Sequence, residues 1–170
     1  MRAERWTIWG LAVLWALWSP ASVHAASEDD ALRLERLNPP GLSVPRGYAQ
    51  VVIAEGAGRW VFLAGQGGIA EDGSIPEDLE AQSRLMFDKV ALALAAAGAS
   101  PADVVRIVLY IVDLPDIDPS PIYAAVRDFF PADAKPASTV VGVPALALPG
   151  MRVEIDVTAL APAAAARGGR

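Results

Sequence analysis

The sequence has 170 residues, enough for one domain, with 14 basic and 20 acidic residues, a single histidine and no cysteine. Without cysteine there is no disulfide and no thiol nucleophile. The net charge of −6 argues against binding nucleic acid through phosphates, which needs a basic face.

Arg2 and Arg5 precede an apolar run from Trp6 to Trp18, broken by Ser19 and Pro20 and followed by Val23-His24-Ala25. Charged start, short apolar stretch and small-residue exit predict a cleavable secretory signal over residues 1–25, with the mature protein periplasmic or secreted. The run is short for a bilayer span, which wants about 20 apolar residues. An uncleaved membrane anchor is the alternative; after cleavage no membrane attachment is expected. Cleavage removes His24, Arg2, Arg5 and Glu4, leaving a net charge of −7 and no imidazole. That excludes Ser-His-Asp and Cys-His catalysis, and no zinc site is expected without Cys or His ligands. A disulfide-free exported domain must draw stability from its core and from self-association.

Residues 26–36 form an N-terminal segment, with a short edge strand around Leu32–Leu34. Asn38-Pro39-Pro40-Gly41 predicts a turn. Tyr48–Ala54 and Trp60–Ala64, separated by Glu55-Gly56-Ala57-Gly58, predict a hairpin. Gly65-Gln66-Gly67-Gly68 lacks the spacing of a nucleotide cradle and no helix opens after it; it marks a backbone that turns sharply or approaches another molecule closely. Asp78–Ala97 predicts a helix with Leu79, Met86, Val90, Ala93 and Ala97 on one stripe, ended by Gly98. Ser100-Pro101-Ala102-Asp103 predicts one helical turn.

Val104–Val112 predicts a strand apolar on both faces, with Val105, Ile107, Leu109 and Ile111 opposite Val104, Val108, Tyr110 and Val112. One face packs on helices; the other needs a second cover, most economically another subunit. Asp118-Pro119-Ser120-Pro121 opens a second helix to about Phe130. Ala137–Val143 and Met151–Leu160 are strands, and residues 162–170 form a disordered tail. In the last strand Met151, Val153, Ile155, Val157 and Ala159 alternate with Arg152, Glu154, Asp156 and Thr158. The polar row is either a solvated sheet face or a carboxylate row lining a cleft between subunits.

The order of these elements, with Gly47-Tyr48, Phe62-Leu63-Ala64-Gly65-Gln66, Leu79-Glu80-Ala81-Gln82, Ala96-Ala97-Gly98, Val108–Leu114, Phe129-Phe130, Pro136-Ala137-Ser138-Thr139 and Val153-Glu154-Ile155-Asp156, resembles the RidA/YjgF family of reactive intermediate deaminases over residues 37–161. The resemblance implies a chorismate-mutase-like α+β domain, a six-stranded mixed sheet with two helices on one face, assembled as a homotrimer with clefts between subunits. It implies hydrolysis of small imines or enamines, with no metal and no bound cofactor. By the family pattern Glu154 matches the glutamate that handles water or proton, and Tyr48, Gly65 and Gln66 match pocket residues. Ser138 stands where the family has a carboxylate-binding arginine, and Ala64 where a serine is common. A serine hydroxyl does not replace a charge-assisted pair, so a small uncharged imine or carbonyl ligand is expected in place of a 2-imino acid. Arg152 and Arg46 are the candidates to supply a guanidinium. The alternative function is a non-catalytic small-molecule-binding or protective protein using the same clefts. Ribonuclease activity, proposed for relatives, fits poorly with the acidic balance.

Overall fold

The structure is a computed structural model, and it describes residues 31–163. The expected signal peptide and residues 164–170 of the expected tail lie outside the described residues. The elements in chain order are β1 (Arg33–Leu37), β2 (Val51–Glu55), β3 (Gly58–Phe62), β4 (Gln66–Gly67), α1 (Leu79–Ala96), β5 (Val104–Val112), α2 (Ser120–Phe129), β6 (Ala137–Val143) and β7 (Val153–Pro162). Five strands form one mixed sheet in the order β3-β7-β5-β6, with β4 also paired to β7. β5 and β6 are parallel and joined through α2; β7 runs antiparallel to β3, β4 and β5. β1 and β2 make a separate antiparallel ribbon.

The α+β class with a mixed sheet and two helices holds. Its strands divide differently from the expected single six-stranded sheet, and the expected hairpin is not a pair. β2 follows β1 in register from Leu37↔Val51 to Arg33↔Glu55. β3 turns away at Gly56 (φ +91°) and pairs with β7 from Gly58↔Pro162 to Phe62↔Thr158. The physical reason is burial. Against β7, Val61 is set opposite Ala159 and enters the core, which pairing with the half-exposed β2 does not offer.

Both helices cover one face of the larger sheet. The core joins Met86, Phe87, Val90 and Leu94 of α1 and Ile122 and Val126 of α2 to Ile107, Leu109 and Ile111 of β5 and Val153, Ile155, Val157 and Ala159 of β7. The helices are locked together by Phe87 of α1, whose ring centroid lies 4.6 Å from that of Phe129 and, edge-on, 6.0 Å from that of Phe130 at the end of α2. Val104 was expected opposite this core but is fully buried within it. A register shift between Val104 and Arg106 opposite β7 rotates the start of β5, so both faces of the simple alternation meet there.

Local chemistry sets the helix ends. Asp78 caps α1, its Oδ2 accepting from the Ala81 N–H at 2.7 Å. Asp118 accepts from the Ser120 N–H at 2.9 Å ahead of α2. The predicted turn at Pro101–Asp103 forms as a 3₁₀ turn, with the Ser100 N–H donating back to Asp103 Oδ2 at 2.7 Å. Among the described residues no helix is long and apolar enough to cross a membrane.

The helix α1 also buries two polar residues. Ser83 donates to the Leu79 carbonyl at 2.7 Å. Gln82, fully buried, donates to the carbonyls of Pro76 (2.7 Å) and Gly150 (2.9 Å) and accepts from the Arg152 N–H (2.9 Å). One amide thus ties the loop before α1 to the entrance of β7, two residues before Glu154.

Candidate functional site

The polar row of β7 projects from the sheet face that the helices leave uncovered. Glu154 lies between Val153 and Ile155, both fully buried on the helix side, so its side chain stands on the opposite face. There it meets the glycine loop. Gly67 is the Cα partner of Glu154 and Gln66 that of Ile155. A methyl group on Gly65 would collide with the Glu154 carboxylate. Gly68 is pressed against α1, where a Cβ would lie 2.5 Å from the Gln82 backbone, and a Cβ on Gly67 would strike the end of Met151. The glycine run therefore packs its own backbone into a slot between Glu154, Met151 and α1. The Gln66 side chain turns back onto the Ala64 carbonyl at 2.9 Å.

Beside Glu154 on the same face, Tyr110 is its cross-strand neighbour and donates its hydroxyl to Asp156 Oδ2 at 3.1 Å. That hydrogen bond, the Asp156 charge, desolvation and the nearby Glu154 charge raise the Tyr110 phenol above its usual pKa; Arg106 acts in the opposite sense. Arg152 precedes this row, with its N–H held by Gln82 and its carbonyl accepting from Val112.

Tyr48 and Ser138 belong to a different place. Ser138 pairs with Ile107, a core residue, and so faces the helix side of β6. The Ala49 N–H donates to the Pro136 carbonyl at 2.9 Å and Ala49 bridges Ala137, which draws Tyr48 alongside Ser138. These two residues, Arg46, Gly47, Leu109, Tyr123, Val126, Arg127 and Val140 enclose a pocket of about 470 Å³ between β6, α2 and the loop before β2. Glu154, Gly65, Gln66 and Arg152 do not line it. Of the six residues singled out in the sequence, Glu154 and Arg152 share the open face, with Gly65 directed at Glu154, whereas Tyr48 and Ser138 belong to the pocket on the other face; Gln66, paired with Ile155, does not share the face of Glu154.

Sequence reasoning missed three contributors. Gln82 was visible only as part of a segment, and nothing in the pattern marked its amide as buried. The pairing of Tyr110 with Asp156 needed the register of β5 against β7. Arg127 was readable in principle: Tyr123 and Arg127 are four apart on α2, a spacing that places both on one side of a helix.

A family model described as Endoribonuclease L-PSP matches residues 42–161. The chain is similar to the RutC family protein YjgH of Escherichia coli, at 36% identity over 106 residues, 62% of this chain and 79% of that protein. It is similar to the crystal structure of the Rid-family protein YyfB from Yersinia pestis, with a TM-score of 0.66 and 32% identity, covering 74% of this chain and 97% of that one. It is also similar to Escherichia coli TdcF, described as a putative reactive intermediate deaminase, at 34% identity over 74 residues, which span 43% of this chain and 56% of TdcF. A crystal structure of TdcF with bound serine superposes with a TM-score of 0.53 at 29% identity, covering 71% of this chain and 91% of that one. The chain belongs to the Rid/YjgF family.

Proposed function

We propose that this protein hydrolyses small imines or enamines at sites completed between copies of the chain, with Glu154 of one copy facing the Tyr48–Ser138 pocket of the next. The observation that carries the reading is the placement of Glu154: a half-buried carboxylate held against the Gly65 backbone, on a sheet face with no helix over it. Family membership and the similarity to TdcF support the reaction class. The opposite-face arrangement of the two groups supports a shared site, because one protomer alone cannot present them to one ligand. A homotrimer of the family type would bring them together.

The chemistry asks little of the protein. A protonated imine carbon is already electrophilic. Glu154 accepts a proton from a water as the water oxygen bonds to that carbon, giving a carbinolamine. The carboxylic acid so formed returns that proton to nitrogen. As the C–N bond then breaks, the Glu154 carboxylate takes the hydroxyl proton, so that a neutral carbonyl product and ammonia are released, and the proton left on Glu154 passes to ammonia or solvent. Neither histidine nor cysteine is required, in keeping with their absence from residues 26–170. The export pattern of residues 1–25 supports action outside the cytoplasm. RNA as substrate is disfavoured by the net charge of −6.

The test is release of ammonia and carbonyl product from freshly generated 2-aminoacrylate and from neutral imines. Glu154→Gln is expected to lower turnover about 100-fold or more, the usual scale for removing a general acid–base group. Unchanged turnover removes Glu154 from the reaction. Ser138 favours a second reading, a binding protein that uses the same clefts without turnover. Ligands that raise the melting temperature but are never consumed would establish it.

A further inference from the structure

The Glu154 carboxylate is held from two sides, and one residue of α1 touches both supports. The first support is the glycine run. β4 is only two residues long, with Gln66 and Gly67 opposite Ile155 and Glu154. A ladder that short does not fix its own register. The run is seated on α1 instead. A Cβ on Gly68 would lie 2.5 Å from the Gln82 backbone. The Lys89 ammonium, seven residues further along the same side of the helix, reaches the Gly67 carbonyl at 3.5 Å.

The second support is the entrance of β7. There the Gln82 side chain donates to the Gly150 carbonyl and accepts from the Arg152 N–H, both at 2.9 Å. Its other N–H goes to the Pro76 carbonyl at 2.7 Å. Both donors and the oxygen of one solvent-free amide are thus used on main-chain groups of two separate loops. On its other side Arg152 accepts from the Val112 N–H at 3.0 Å. The backbone of Arg152 is therefore fixed from both sides, one pleat before Glu154.

We infer that Gln82 is a positioning residue for Glu154: it sets the glycine run against β7 and so holds the carboxylate against Gly65, without touching the ligand. The inference deepens the proposed function and rests on its reading of Glu154. An apolar residue of similar size would fill the same space but leave the Arg152 N–H and the Pro76 and Gly150 carbonyls without this partner. Those loops would then move toward water, and the start of β7 with them. Ser83 provides the contrast. It is equally buried on α1, but its hydroxyl donates to the Leu79 carbonyl within its own helix. Its loss measures what a buried polar group of α1 contributes to the fold alone. The Tyr48–Ser138 pocket is lined by neither Gln82 nor the entrance of β7, so ligand binding and carboxylate position are separable.

The experiment follows the Glu154 carboxyl by NMR in purified protein labelled at its glutamate side-chain carboxyls, the signal being identified by its loss in Glu154→Gln. Gln82→Met is expected to shift or broaden that signal. It is also expected to lower kcat about 10- to 100-fold with KM unchanged, the scale for misplacing a reacting group by about 1 Å. Gln82→Glu, whose buried carboxyl stays protonated and keeps one donor and an acceptor, should fall between Gln82→Met and the parent. Ser83→Ala should lower the melting temperature while leaving the Glu154 signal and kcat at parent values. A Glu154 signal unchanged in both Gln82 variants, or changed equally in Ser83→Ala, would overturn the inference. Should Gln82→Met fail to fold, Gln82→Glu against Ser83→Ala decides by the same signal. If the signal moves in the Gln82 variants but the parent consumes no imine, the hydrolase reading fails and the positioning role stands. If turnover needs Glu154 but Gln82→Met keeps the parent kcat, the hydrolase reading stands and the positioning role falls.

Discussion

At Gly65 and Gly68 the same residue type, three positions apart, meets different obstacles, and the difference is testable. A Cβ at Gly65 would strike the end of the Glu154 side chain, which can swing aside; a Cβ at Gly68 would strike the Gln82 backbone, 2.5 Å away, which cannot. Gly65→Ala should therefore leave thermal stability near the parent while displacing the carboxylate and lowering turnover. Gly68→Ala should cost about 1–3 kcal/mol, as overpacking does, and lower the melting temperature. Circular-dichroism melts beside activity assays separate the two; equal destabilisation by both would contradict this account of the glycine run. The sequence marked these glycines as a close approach, but not what was approached. Gly65 and Glu154 are 89 positions apart in the chain, and only the pairing of β4 with β7 joins them.

Elements whose partners are fixed by hydrophobic pattern were legible to within two residues, the last strand running Val153–Pro162 where Met151–Leu160 was expected. β5 and β6 have the bounds that their apolar runs predict, and α1 differs from expectation by one residue at each end. The alternation of β7 correctly separates a buried row from a polar one. Legibility ended where several partners compete for one strand. β2 and β3 are adjacent in sequence with a glycine between them, the ordinary signal of a hairpin, yet each pairs elsewhere. Likewise Val104 follows a rule of alternation until the shift between Val104 and Arg106 breaks it. The buried Gln82 shows the same limit from the side of polarity. Its place on α1 follows from helical spacing, but its burial follows from three backbone groups supplied by distant loops.

For the whole molecule, the sheet has one covered face and one open face, and each carries half of the proposed site. The open face holds Glu154, Asp156 and Tyr110, together with the exposed, stacked Trp60 and Phe62 of β3, 6.2 Å apart. The pocket of Tyr48, Ser138, Arg46 and Arg127 lies on the helix side, at the β6 edge. From the sequence, one face of β5 was expected to pack on helices, and it does. The division of the site residues between two faces was not expected, because Ser138 and Glu154 sit on strands whose registers against β5 are set only by the folded sheet.

A chain without cysteine allows that geometry to be measured directly. Arg152→Cys and Ser138→Cys are made as separate variants, mixed under conditions that allow subunit exchange, and treated with a short bismaleimide. The account predicts a covalent product containing one chain of each variant, in excess of either variant linked to itself. In a chain carrying both substitutions it predicts linkage between copies. Cross-linking confined within single doubly substituted chains, with no mixed product between copies, would contradict it.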